Sequence, residues 1–100
     1  MNKKITILIT SSLLFFGANA IAGDAAAGKV KSATCVACHG ADGTSSSDIW
    51  PNLKGQKSGY LVKQIKAFRD GVRKDPMMSP MAAGLTDEDI DNLAAYYSGL

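Results

Sequence analysis

Apolar residues recur with helical spacing in three stretches of the chain, and the breaks between them are rich in glycine, proline or small polar residues. Residues 23–33 combine alanines of high helix propensity with Asp24 in an N-cap position, which predicts a first helix. Gly28 inside it costs about 1 kcal/mol relative to alanine, so it is either tolerated or lets another helix cross closely, and the pattern favours neither. Leu61, Ile65 and Phe68 stand at i, i+4 and i+7, predicting a helix over residues 58–70 with Ser58 as its cap and Gly71 at C′. Ile90, Leu93, Ala94 and Tyr97 mark the apolar face of a last helix. Thr86 is its predicted N-cap, Asp89 the capping-box residue at N3, and Leu85 with Ile90 a hydrophobic staple.

Between these stretches, residues 40–48 form a polar loop without apolar periodicity. Residues 75–84 hold Pro76 and Pro80, each of which biases the residue before it toward extended backbone, so this segment is expected to be a stiff loop and not a regular helix. The fold class implied is all-α.

Residues 1–22 follow another pattern. Lys3 and Lys4 precede an apolar run through Ile5, Leu8, Leu13 and Phe16, and the segment finishes in small residues, as a secretory signal peptide does. Ala18-Asn19-Ala20 and Ala20-Ile21-Ala22 are overlapping cleavage sites, and cleavage before Gly23 is the expectation. An uncleaved anchor would need about 20 predominantly apolar residues, and Thr6, Thr10, Ser11 and Ser12 dilute the run.

The division is therefore 1–22, removed on export, and 23–100, one small domain. Loss of Lys3 and Lys4 takes the 11 basic residues to 9, against 9 acidic ones, so there is no clustered basic excess to suggest nucleic acid as a partner. The basic residues between Lys54 and Lys74 and the acidic run at Asp87, Glu88, Asp89 and Asp91 read as solvated helix faces, the latter also favouring a helix N-terminus.

The chemistry lies in Cys35-Val36-Ala37-Cys38-His39, the arrangement of a c-type haem attachment site. Two thioether bonds from Cys35 and Cys38 would tether the porphyrin, and His39 would be an axial ligand to iron. A thioredoxin-like dithiol would need a strand leading into the motif, which the pattern lacks. Structural zinc needs about four ligands, and the chain has two Cys and one His. A disulfide would leave His39 unexplained. Twelve residues on, Pro51 offers a carbonyl that could accept the second ring N–H of His39, fixing its tautomer.

Met77, Met78 and Met81 fall within five residues, too dense for simple gap filling in a chain with attached haem. A thioether is a soft neutral ligand that fills the sixth position and raises the potential. All three are candidates, and Met78, between Pro76 and Pro80, is the most restrained. Tyr60 and Gln64 could reach a haem propionate. A domain of this size usually needs a cofactor, metal or disulfide to be stable, and haem would be that help.

In these motifs, in Pro51-Asn52-Leu53-x-Gly55 and in Leu93-Ala94-Ala95-Tyr96, the chain resembles the small single-haem class I c-type cytochromes of bacteria, and the single domains of two-haem periplasmic cytochromes. The resemblance implies three main helices wrapped around one haem c, the first and last crossing at Gly28 beside Tyr96. It implies Pro51 as the carbonyl partner of His39 and Met78, seven residues before Leu85, as the second iron ligand.

The function implied is one-electron transfer by a soluble periplasmic monomer without stable membrane insertion. Its partners would be redox donors and acceptors, either respiratory complexes or periplasmic enzymes. No nucleophile is paired with a base, so no catalytic residue is nominated. A gas-binding or sensing haem protein and a haem subunit of a dehydrogenase are the alternatives.

Overall fold

α1 (Ala25–Lys31) and α5 (Asp87–Ser98) meet backbone to backbone in the computed structural model, which describes residues 2–10 and 23–100. A Cβ placed on Gly28 would lie 1.9 Å from the carbonyl oxygen of Asn92 and 2.8 Å from Cβ of Tyr96, so the crossing needs glycine. The predicted cap of α1 is present, with Asp24 Oδ1 accepting from the amides of Ala26 at 2.9 Å and Ala27 at 3.4 Å. The amide of Asp24 in turn donates to Asn92 Oδ1 at 2.7 Å, a second tie between the ends of the domain.

α1 is shorter than the apolar pattern suggested. Ser32 donates through its hydroxyl to the carbonyl of Lys29 at 2.6 Å, and the chain tightens into a 3₁₀ turn over Ser32–Thr34. Hydroxyl bonding back into the preceding turn competes with the regular helix ladder. A single turn, α2 (Val36–His39), follows and stops at Gly40, whose φ of 84° disfavours any other residue.

α3 (Ser58–Arg69) keeps the predicted face: Leu61 and Phe68 are buried and Ile65 packs against the core. Ser58 is not its cap. It is the first helical residue, Lys57 takes the cap position without a side-chain bond, and Gln56 Oε1 accepts the Lys57 amide at 2.9 Å. After the turn at Gly55, with φ 68°, the helix starts one residue earlier than a serine cap at position 58 would need. Gly71, at φ 77°, follows the end of α3 as expected.

The stiff loop expected over residues 75–84 is corrected by α4 (Met78–Ala82). Pro80 falls within the first turn, where a missing N–H breaks no intrahelical bond, and Asp75 Oδ1 supplies an acceptor for the leading amides of Met77 and Met78.

α5 opens with the full capping box: Thr86 Oγ1 accepts from the Asp89 amide at 3.0 Å and Asp89 Oδ2 accepts from the Thr86 amide at 3.0 Å. These bonds hold the Asp89 carboxyl below the ordinary aspartate range. Their contribution is therefore full above that range and is lost as pH falls through the depressed value. Ile90, Leu93, Ala94 and Tyr97 are all buried, and Leu61 of α3 joins the last three in the core cluster.

Arg69 links the end of α3 to the start of α5, donating to Asp87 Oδ1 at 2.7 Å and to the carbonyl of Leu85 at 3.3 Å. Lys66 also faces Asp87 and Lys31 faces Asp89, so these two members of the acidic run are engaged in helix-end contacts. Among the described residues there is no strand, and no helix is long and apolar enough to cross a membrane. The leader expectation covers residues 1–22, of which residues 1 and 11–22 lie outside the described residues.

Gly28→Ala tests the crossing. Helix propensity alone would stabilise by about 1 kcal/mol. The clash with the Asn92 backbone should reverse that sign, destabilising the holoprotein by about 2 kcal/mol or more, read as a fall in the urea midpoint without change in slope.

Candidate haem site

A cavity of about 580 Å³ lies beneath α2, with α3, α4 and α5 contributing to its walls. Every site residue nominated from sequence lines it: Cys35, Cys38, His39, Pro51 and Met78. The rest of the lining is mainly apolar, with Trp50, Leu61, Ile65, Phe68 and Leu93 prominent.

The attachment motif occupies a helical turn, with the His39 amide donating to the Cys35 carbonyl at 2.9 Å. Cysteines three apart on such a turn share one face, which is what attachment of both to one macrocycle requires. Both cysteine sulfurs are partly buried and neither is in a disulfide.

His39 is 6% exposed, and its Nδ1 lies 2.8 Å from the carbonyl oxygen of Pro51. A carbonyl only accepts, so Nδ1 carries the proton and Nε2 keeps a lone pair available to a metal. The loop that brings Pro51 back over His39 is tied at Gly43, whose carbonyl accepts from the amides of Leu53 at 2.7 Å and Lys54 at 3.0 Å. A Cβ on Gly43 would sit 2.8 Å from the Lys54 nitrogen, so side chains are excluded there. That role was not visible in the sequence, where Gly43 is one of several small residues in a polar loop.

Three further features escaped sequence reasoning. Arg73 lines the cavity, stacked 4.5 Å over the Phe68 ring and donating to Gln64 Oε1 at 2.9 Å. Asp75 organises the methionine segment through its carboxylate. The Tyr97 hydroxyl is buried without a hydrogen-bond partner, beside Ser32 and Cys35, and burial raises its ionisation well above the ordinary tyrosine range. Of the three methionines, all of which line the cavity, Met77 is 56% and Met81 46% exposed, while Met78 is partly buried.

These residues fit a haem. The walls are apolar, one imidazole nitrogen is free, two thiols share a face, and an unpartnered hydroxyl borders the same space. No cluster of three or more His, Cys, Asp or Glu that could hold a bare metal ion occurs among the described residues. Iron that arrives with its own equatorial nitrogens is the group these donors suit.

An all-α chain folded on such a cavity, with Cys35, Cys38 and His39 at its edge, is a haem protein of the covalently attached c type. Residues 25–100 match the family model for cytochrome c, and the chain belongs to that family. It is 60% identical over 80 residues to cytochrome c-554(548) of Halomonas halodenitrificans, covering 77% of this chain and 96% of that protein. It is 44% identical over 101 residues to cytochrome c4 of Pseudomonas aeruginosa, covering 98% of this chain and 48% of that one. The crystal structure of reduced recombinant cytochrome c4 from Pseudomonas stutzeri superposes with a TM-score of 0.73 at 42% identity, over 77% of this chain and 45% of that chain. The chain thus spans nearly all of the first relative and about half of the c4 proteins, matching one domain of a two-domain cytochrome. Its cofactor is one haem c, bound covalently through Cys35 and Cys38.

Covalent attachment makes a direct prediction. Acid-acetone treatment of the purified holoprotein should leave the haem with the precipitated polypeptide, and colour in the organic phase would contradict attachment through both cysteines.

Proposed function

We propose that this chain is an exported one-electron carrier in which His39 and Met78 ligate a single haem iron. The haem, when bound, supplies a one-electron ferric/ferrous couple. The observation that carries the reading is the 2.8 Å contact between His39 Nδ1 and the Pro51 carbonyl inside the cavity that Met78 also lines. Pro51 orients the imidazole and raises its basicity. Met78 presents a soft, neutral sulfur, which favours the reduced state and leaves no open position. The apolar walls exclude water, so a change of charge within them depends on few mobile dipoles. Tyr60 and Gln64, both on the cavity lining, are proposed as propionate contacts.

The chain is not proposed as an enzyme, and its partners are redox proteins, either membrane respiratory complexes or periplasmic enzymes. Residues 1–22 are proposed as the cleaved leader and 23–100 as the haem domain, giving a periplasmic monomer. A gas-binding role is disfavoured because three methionines converge on the cavity. Mass spectrometry checks the processing: the mature mass should equal a chain beginning at Gly23 plus one haem, whereas retention of Met1 would favour an anchored form.

Met78→Ala should abolish the far-red charge-transfer band of the oxidised protein, lower its potential and allow carbon monoxide to bind the reduced form. Met81→Ala should keep the band. The reverse result would move the ligand to Met81 and leave the His/Met class intact. His39→Ala should be more damaging than Cys35→Ala, because one thioether can still tether the ring while the chain contains no second histidine.

A further inference from the structure

We propose that Asp75 is a positioning residue for Met78, and that its carboxylate controls how often the methionine side chain leaves the cavity. The inference rests on Met78 as the axial ligand.

Asp75 Oδ1 accepts from the amide of Met77 at 2.8 Å and from the amide of Met78 itself at 2.9 Å. On the other side of the same residue, the Asp75 amide donates to Ser79 Oγ at 3.0 Å and the Asp75 carbonyl accepts from the Ser79 amide at 3.0 Å. Four hydrogen bonds therefore close residues 75–79 into a ring with Met78 inside it. The flanking Pro76 and Pro80 contribute no N–H to this ring and restrict the backbone only in φ.

α4 has five residues, far too few to be helical through its own ladder. Its leading amides have no intrahelical acceptor, and the Asp75 carboxylate is the group that meets them. Without it, the amides of Met77 and Met78 turn to water, and these two leading amides lose the side-chain acceptor they share. Prolines on either side limit the conformations available, but they do not choose between a Met78 that points inward and one that points to solvent. The carboxylate makes that choice, because both bonds exist only in the turned conformation.

The test uses imidazole as a competing ligand of the oxidised holoprotein. Imidazole binds iron only in molecules whose thioether has left, so its apparent affinity scales with the open fraction. Asp75→Ala should raise that affinity about fivefold, the effect of one lost N-cap. Asp75→Asn keeps an oxygen acceptor in place and should stay within about twofold of the parent protein. Ser79→Ala removes the hydroxyl from the ring but leaves the carboxylate, and it should also stay within about twofold.

An unchanged affinity in Asp75→Ala, or an equal rise in Ser79→Ala, would overturn the proposal. Because Ser79→Ala and Asp75→Asn perturb the fold little, the comparison survives even where Asp75→Ala is poorly folded: a fivefold rise in Asp75→Asn would equally overturn the role of the acceptor oxygen. Failure of the ligand reading has a separate signature. If Met78→Ala keeps the far-red band, the axial assignment falls, whatever the Asp75 variants show.

Discussion

The constraint that organises this molecule is an apolar core built around the space its haem occupies. Among the described residues seven apolar ones are buried, and the side chains that would complete a larger core face a cavity of about 580 Å³. The haem is accordingly part of the core, and a covalent tether ensures that the core is never without it. Folding and cofactor retention become one problem, which is why the attachment motif, the crossing helices and the apolar stripe of α3 all converge on one space.

Much of this was legible where the signal was local. Asp24, the capping box of Thr86 and Asp89, and Gly71 each act on amides or backbone within a few residues, and each is found where the pattern put it. The apolar faces of α3 and α5 were equally readable, since periodicity reports burial directly. The errors came from neighbours competing for one segment. Ser58 has the chemistry of a cap, but the turn at Gly55 and the Gln56 side chain place the cap position at Lys57. Pro76 and Pro80 argued for an extended loop, yet a proline in a first turn costs no bond, and Asp75 outweighs the bias on Ser79.

For the site, the attachment motif and its twelve-residue spacing to Pro51 pointed to one cofactor, and both ends of that spacing line one cavity. The crossing at Gly28 beside Tyr96 was implied by the family resemblance, but other contacts made across the fold were not readable. Gly43 holds the returning loop through its carbonyl, Asn92 accepts the Asp24 amide, and the Tyr97 hydroxyl lies beside Cys35, all between residues far apart in sequence. Nothing in the spacing of such residues marks them, because their partners are chosen by how the helices cross.

The two sides of the cavity are held by interactions of different reach. His39 is buried, its ring bonded to Pro51, and the Pro51 segment is tied to Gly43 and, through the Gly55 amide, to the Tyr97 carbonyl at 2.8 Å in the last helix. To free His39 the chain must disturb α5, which is packed against α1 and α3, so that side opens only with the fold. Met78 stands on five residues closed by their own hydrogen bonds, beside the exposed Met77 and Met81. Short segments with few buried contacts open at a fraction of the global free energy. On the proposed ligation by His39 and Met78, the locally closed turn would loosen before the globally tied one, so the thioether would leave while the imidazole stays.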